Sequence, residues 1–431
     1  MVITFSIILL IISLIGYKIE NNITNPITVF SGLWGVVLLC SHLSLYTLQE
    51  ATEDTYKYFF AGVIMFVIGF YVNKIFLNKC RIVLKKRDRQ VGFVLRYNIM
   101  YLLIIVCILF LLLNLINLIN QTGSLNLRIV QSALQSGDYD NDTSPFLNAI
   151  QILVITPVSF ALPAIAAADF WFGKKDFKLL LGTIVLSFVN MLATANRTTF
   201  MLVIIYLIIG AYIKIHLYNN DFLTVYQKNK MKKWIKYLCF LGFFAFLIMT
   251  ISRGSSIFRN VYTNLAMSPR MFEIWSKEID AQNVYGYGVA SLLGFFYPVC
   301  YVIKNIFGTS SLPDIVQSMY DWNILTDKQW VWPGDKITAN AYVSIFWFFY
   351  TDARIIGIML GSFIFGIVTS RSYLKTVSED CDSKSVACYC MIFYAILFSF
   401  VRFQFALSKY VLSLLFILIF AYKKCFVKEE I

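Results

Sequence analysis

Four arginines sit where long apolar runs end. They are Arg197 in Ala195-Asn196-Arg197-Thr198, Arg253 in Ser252-Arg253-Gly254-Ser255, Arg354 in Asp352-Ala353-Arg354, and Arg402. A guanidinium presents a planar fork of donors that matches phosphate and carboxylate oxygens two at a time. A cation at the edge of an apolar run is costly unless something pairs with it. Together the four point to an anion held level with a membrane surface. The competing explanation is that each snorkels to headgroups or pairs with a nearby carboxylate, although lysine would anchor equally well. Arg128, Arg259 and Arg270 lie in segments read as facing the same side.

Two further residue classes gather near these arginines. Five of the eight tryptophans (Trp275, Trp322, Trp330, Trp332 and Trp347) fall between Arg253 and Arg354, with Tyr285, Tyr342 and Tyr350 among the tyrosines there. Aromatic faces with a polar edge suit the CH faces of sugar rings, and they equally suit a membrane interface. Asn340 and Tyr342 open the run Asn340-Ala-Tyr-Val-Ser-Ile-Phe-Trp-Phe-Phe-Tyr350, which Asp335 and Asp352 flank, while Glu273 and Asp280 come earlier. Transfer onto a sugar hydroxyl needs a base, and Asp352 is the candidate; the plainer role for it is an ion pair with Arg354. His42 reads better as a packed or interfacial residue than as a base.

The elements that must position these groups are membrane spans. The chain has 431 residues, 59% of them hydrophobic and only 14% charged, where soluble domains carry about 25% charged residues. Runs of about 20 apolar residues cross the apolar core of a bilayer. Such runs fall at about 2–18, 27–47, 58–77, 97–119, 146–170, 179–195, 199–217, 237–252, 355–370, 386–402 and 405–422. The fold class expected is therefore an all-α polytopic membrane protein with about eleven (10–12) transmembrane helices and one large extracytoplasmic loop. The chain divides into 1–252, carrying helices one to eight with short loops, 253–354, the large loop with re-entrant or amphipathic helices, and 355–431, carrying the last three. Tyr287–Ile306 is apolar enough to be either a re-entrant helix or a span.

The order of charges sets the orientation. No cation precedes the first run, and Lys18 follows it, which predicts an outside N-terminus and a retained first span. On this topology 24 of the 37 Lys and Arg lie inside, 19 of them Lys, and 13 lie outside, seven of them Arg. Inner lysines are what orientation alone requires; the outer arginines are the exception that asks for a ligand.

Several functions lose support. The net charge of +13 is explained by cytoplasmic loop cations beside spans, so nucleic-acid binding is not expected. Nine cysteines without a CxxC pair, and two histidines, give no zinc pattern. There is no GxxxxGK[ST] loop, GxSxG or HExxH. Energy for bond making would therefore come from an activated substrate, with no metal or cofactor.

The stretch from Asn340 through Tyr350-Thr-Asp352-Ala-Arg354 to Gly366 resembles the late segment of bacterial O-antigen and capsule repeat-unit polymerases. There an Asn-x-Tyr run, a Tyr-x-Asp and a glycine-containing span follow a large extracytoplasmic loop. Asn196-Arg197-Thr198-Thr199 and Ser252-Arg253-Gly254-Ser255 are similar to the family's earlier Arg-bearing motifs, so the resemblance covers roughly 190–370. One departure is that the family pattern usually has Gly where this chain has Arg354. The resemblance implies a GT-C-like fold in the bacterial cytoplasmic (inner) membrane with an outward-facing site. It implies a glycosyltransferase acting on undecaprenyl-pyrophosphate-linked oligosaccharide, with Arg197 and Arg253 neutralising the leaving pyrophosphate. Asp352 would be the third catalytic group, and Arg128, Arg259, Asn340, Tyr342, Tyr350, Arg354 and Arg402 would bind substrate. A chain-length regulator and a flippase are the partners expected by analogy. The alternatives are an O-antigen ligase, a lipid-linked oligosaccharide flippase or transporter, or a membrane scaffold in which the arginines are dispensable. Two similar halves and a charged path through the spans would mark a transporter, and neither is visible.

Overall fold

The computed structural model describes residues 1–84, 91–123, 145–194, 198–217, 257–308, 311–378 and 381–426, with a few positions between 229 and 240. In chain order its main elements are α1 (Val2–Glu20), α2 (Pro26–Leu43), α3 (Glu53–Leu84), β1 (Val91–Leu95), α4 (Tyr97–Thr122), α5 (Thr156–Phe172), α6 (Phe177–Thr194), α7 (Thr198–Leu217), α8 (Ile257–Ala266), α9 (Ser268–Ala281), α10 (Val289–Phe307), α11 (Asp314–Lys328), β2 (Val331–Gly334), β3 (Ile337–Ala339), α12 (Ser344–Thr376), α13 (Ser383–Leu397), α14 (Ser408–Leu415) and β4 (Tyr422–Phe426). Among the described residues, nine helices are long and apolar enough to cross a membrane, and two shorter apolar ones cover Ser383–Leu397 and Ser408–Ala421. The protein is an all-α multi-pass membrane protein. The span expected at 237–252 falls, apart from positions 237 and 240, outside the described residues.

The chain forms two compact units. The first comprises Met1–Lys85, Phe246–Leu374 and Ile392–Val411. Its core is aromatic: Trp34, Phe59 and Phe346 meet with ring centroids 4.7–5.1 Å apart, and Phe30 stacks on Phe66 at 4.1 Å. α1 and α2 form a hairpin in which Asn25 caps α2 and donates to the carbonyl of Gly16 at 3.1 Å. The segment expected as a loop up to residue 354 is helical from Ser344. Val343 to Tyr350 are all buried, because an unbroken apolar and aromatic run gains more from packing on Trp34 and Phe59 than from lying in an interface.

Tyr287–Ile306 is resolved as a helix, α10, long and apolar enough to cross. It packs against α11 as a helical hairpin. The chain enters α10 from Gly286, whose N–H bonds the Thr351 carbonyl at 2.9 Å, and leaves α11 where Ala341 N–H bonds the Thr326 carbonyl at 2.8 Å. One end of the hairpin therefore meets α12 at Thr351 and the other meets the chain just before α12 at Ala341, and α11 carries Asp314, Asp321, Asp327 and Lys328.

The second unit comprises Lys86–Ala245, Lys375–Met391 and Leu412–Ile431. α5 is buried almost throughout among α6 and α7. Buried Asp169 accepts from the Tyr97 hydroxyl and from the N–H groups of Lys174 and Asp176, which closes the turn between α5 and α6. β1 pairs antiparallel with β4, Phe93 opposite Lys424 and Val94 opposite Lys423. The chain just before Arg96 and the segment that carries Lys423 and Lys424 thus lie side by side.

Candidate functional site

The polar end of the first unit is built on α9. This helix buries Met271, Phe272, Trp275 and Ile279, a stripe spaced three and four residues apart. Glu273 fixes it to the chain before α3: its carboxylate accepts from Thr52 N–H at 3.0 Å and pairs with Lys277 at 2.7 Å and Arg270 at 3.2 Å. Burial alone would raise the Glu273 pKa. The Lys277 bond, the Thr52 N–H and Arg270 outweigh it and hold the group below the usual glutamate range.

The C-terminal end of α9 meets a sharp reversal in α12. Ala353 (φ −157°, ψ 37°) and Arg354 (φ 55°, ψ −135°) leave the helical region. Their effect is visible in the glycines beyond. A Cβ on Gly357 would lie 2.0 Å from the Phe349 carbonyl oxygen, and one on Gly361 would lie 2.4 Å from the Phe349 ring. In a straight helix residues 349 and 361 would stand about 18 Å apart. So the chain folds back on itself, and the two glycines make room for the approach. Arg354 sits at the apex with a positive φ, a conformation that favours glycine and strains any other residue.

That strained arginine is held on several sides. Its Nε pairs with Asp280 Oδ1 at 2.9 Å, and an Nη2–H donates to the Ile279 carbonyl at 3.3 Å. The guanidinium lies over the rings of Tyr285 and Tyr350, 4.3 Å and 5.3 Å from their centroids. The Tyr350 hydroxyl donates to Asp280 Oδ2 at 2.8 Å. Arg354 Nη1 is buried with no hydrogen-bond partner among the described residues, and Asp280 is 46% exposed. The cluster is a cation and a carboxylate between aromatic walls, open through Asp280.

Asp352, two residues away, does not pair with Arg354. Its Oδ1 accepts from the N–H groups of Gly288 at 2.8 Å and Ala290 at 2.9 Å, and its Oδ2 from the Ser291 N–H at 3.1 Å and the Ser291 hydroxyl. It thereby satisfies the first N–H groups of α10, as a capping carboxylate does. With both oxygens committed, it holds α10 onto α12.

Arg402 belongs to a second cluster. An Nη2–H reaches the Thr326 hydroxyl at 2.9 Å and the Asn323 carbonyl at 3.3 Å, and Nη1 stands 3.4 Å from Asp327. Asn340 Nδ2 donates to the Asp327 carbonyl at 2.6 Å, so Asn340 and Arg402 both close the C-terminal end of α11. Ser344 N–H bonds the Val401 carbonyl at 3.0 Å, which seats the start of α12 against the same segment. Tyr342 is half-buried beside Phe400.

The remaining sequence candidates divide. Arg259 is exposed on α8 and makes no ion pair with a described residue. Arg128, Arg197 and Arg253 lie outside the described residues. His42 is held by Glu50, Nδ1 to Oε1 at 2.5 Å. Asp327, Thr326 and Ser291 escaped the sequence reading, since nothing in their spacing marks them. Lys409, isolated between apolar residues, could have been singled out. No protein-family model, curated protein or solved structure matches the chain.

Proposed function

We propose that the chain is a glycosyltransferase that polymerises undecaprenyl-pyrophosphate-linked oligosaccharide repeat units into O-antigen or capsular polysaccharide at the outer face of the bacterial cytoplasmic membrane. The observation that carries this is Arg354. A non-glycine residue kept at positive φ, at a cost of about 1–3 kcal/mol, is a strain retained for the placement of its side chain. That placement sets a guanidinium against two tyrosine faces and an accessible carboxylate. An anion with an attached sugar fits such a setting: the cation for phosphate oxygens, the rings for the sugar.

In this reading an acceptor hydroxyl attacks the anomeric carbon of the donor sugar. A new glycosidic bond forms, the bond to the pyrophosphate oxygen breaks, and the hydroxyl proton passes to a carboxylate. Asp280 suits the proton better than Asp352, because its carboxylate is 46% exposed with one partner on each oxygen, while Asp352 is buried with two donors on each. Arg354 offsets the charge that develops on the leaving pyrophosphate, an electrostatic role that requires no metal. Arg197 and Arg253 retain the same role by resemblance.

A gene deletion examined by ladder gel of surface glycan is the test. Loss of a polymerase leaves a single repeat unit attached; loss of a ligase leaves none; loss of a flippase leaves none and traps lipid-linked units inside. Full-length ladders after deletion would refute the proposal.

A further inference from the structure

The Arg402 cluster holds more unsatisfied polarity than a structural brace requires. Arg402 is 6% exposed and Gln404 is 3% exposed, yet Arg402 Nε and Gln404 Oε1 have no partner among the described residues. Asn323 Oδ1 and the hydroxyls of Ser344 and Ser399 are buried and also have no partner among the described residues. These residues adjoin one another: Gln404 Nε2 donates to the Arg402 carbonyl, Arg402 bonds the Asn323 carbonyl, and Ser344 and Ile345 bond Val401 and Ser399. Buried polar groups normally find partners, and a concentration of orphans is where a missing ligand or water belongs.

The charge present says which ligand. Arg402 contributes a fork whose only carboxylate partner among the described residues, Asp327, stands at 3.4 Å and is 56% exposed. Lys409 is half-buried in the first turn of α14, which is tied to the Arg402 segment by the Leu407 N–H to Gln404 carbonyl bond at 3.0 Å and the Tyr410 N–H to Leu407 carbonyl bond at 3.1 Å, and its charge acts on both Arg402 and Asp327.

We infer that Arg402 and Lys409 form a phosphate-binding subsite, separate from Arg354, whose resident counter-ion Asp327 swings out when a phosphate-bearing lipid headgroup enters. Ser344, Ser399 and Gln404 complete its polar wall. The inference rests on the proposed function only for the source of the phosphate, which is the carrier pyrophosphate if the chain is a polymerase and a bilayer phospholipid otherwise.

The test is equilibrium binding of radiolabelled farnesyl pyrophosphate to the full chain in phosphatidylcholine nanodiscs, repeated with phosphatidylglycerol added. Wild type should bind saturably. Asp327→Asn removes a repelling charge and should tighten binding by about fivefold, the size of one exposed charge contact; Lys409→Gln should weaken it by about fivefold to tenfold. Arg402→Lys, which keeps charge and loses the fork, should weaken it as well. Unchanged or weaker binding in Asp327→Asn, or wild-type binding in Lys409→Gln, would overturn the subsite whatever becomes of Arg402→Lys. Displacement of the probe by phosphatidylglycerol identifies a bilayer phospholipid as occupant, and persistence of binding identifies the pyrophosphate. Predicted binding shifts together with an intact glycan ladder after gene deletion would uphold the subsite and sink the polymerase. A ladder reduced to one unit with unaltered binding would do the reverse.

Discussion

Replacing Arg354 separates backbone strain from side-chain function. Arg354→Ala keeps the positive φ and its cost of about 1–3 kcal/mol, and it loses the Asp280 pair and the two ring contacts. The pair contributes only about 0–1 kcal/mol because Asp280 is 46% exposed. The cation over Tyr285 and Tyr350 adds about 0.5–2 kcal/mol. Arg354→Gly loses the same contacts but regains most of the strain, since glycine adopts positive φ freely. The Gly variant should therefore be more stable than the Ala variant by about 1–2 kcal/mol, and close to wild type. Thermal unfolding of the three proteins in one detergent, followed by intrinsic fluorescence, reads this order. Glycan ladders read function: both variants should lose polymerisation by about a hundredfold, the size of one lost charge-stabilising donor. The reasoning fails if Gly is no more stable than Ala, because then the reversal at Ala353-Arg354 is not strained. It fails on the functional side if Arg354→Gly still makes long chains.

Asp352→Asn keeps the shape of the cap but loses charge from four hydrogen bonds. It should cost about 1.5–3 kcal/mol, and hydrogen exchange should show faster opening at Gly288 to Ser291; unchanged exchange there would dissolve its anchoring role. Glu273 gives a pH dependence. Its folded pKa is lowered, so its stabilising contribution is complete above the ordinary glutamate range and fades as pH falls through the lowered value. Wild type should lose melting temperature on that acid limb while Glu273→Gln, about 1–3 kcal/mol weaker at neutral pH, shows a flatter one; parallel acid limbs would remove Glu273 from the account.

Much of the architecture was legible one residue at a time. Apolar length and loop cations identify spans because each span must satisfy its own backbone hydrogen bonds and cover itself in apolar side chains. That is a local requirement, so α1 to α7 fall close to their expected positions. Arg354 and Arg402 were likewise visible as cations out of place.

Pairing was not legible. Adjacent sequence suggested Arg354 with Asp352, but the reversal at Ala353 turns the two side chains apart. Arg354 then meets Asp280, 74 positions earlier, and Asp352 meets the start of α10. The run Ser344–Tyr350 reads from the sequence as the end of the large outer segment; only Trp34 and Phe59, brought by other helices, decide for a buried helix. Asp327 became relevant because α11 ends beside Arg402. Composition thus determined that the chain lives in a membrane and carries arginines that need partners. Which partner each one has depends on contacts between residues far apart in the chain, and those exist only once the helices have packed.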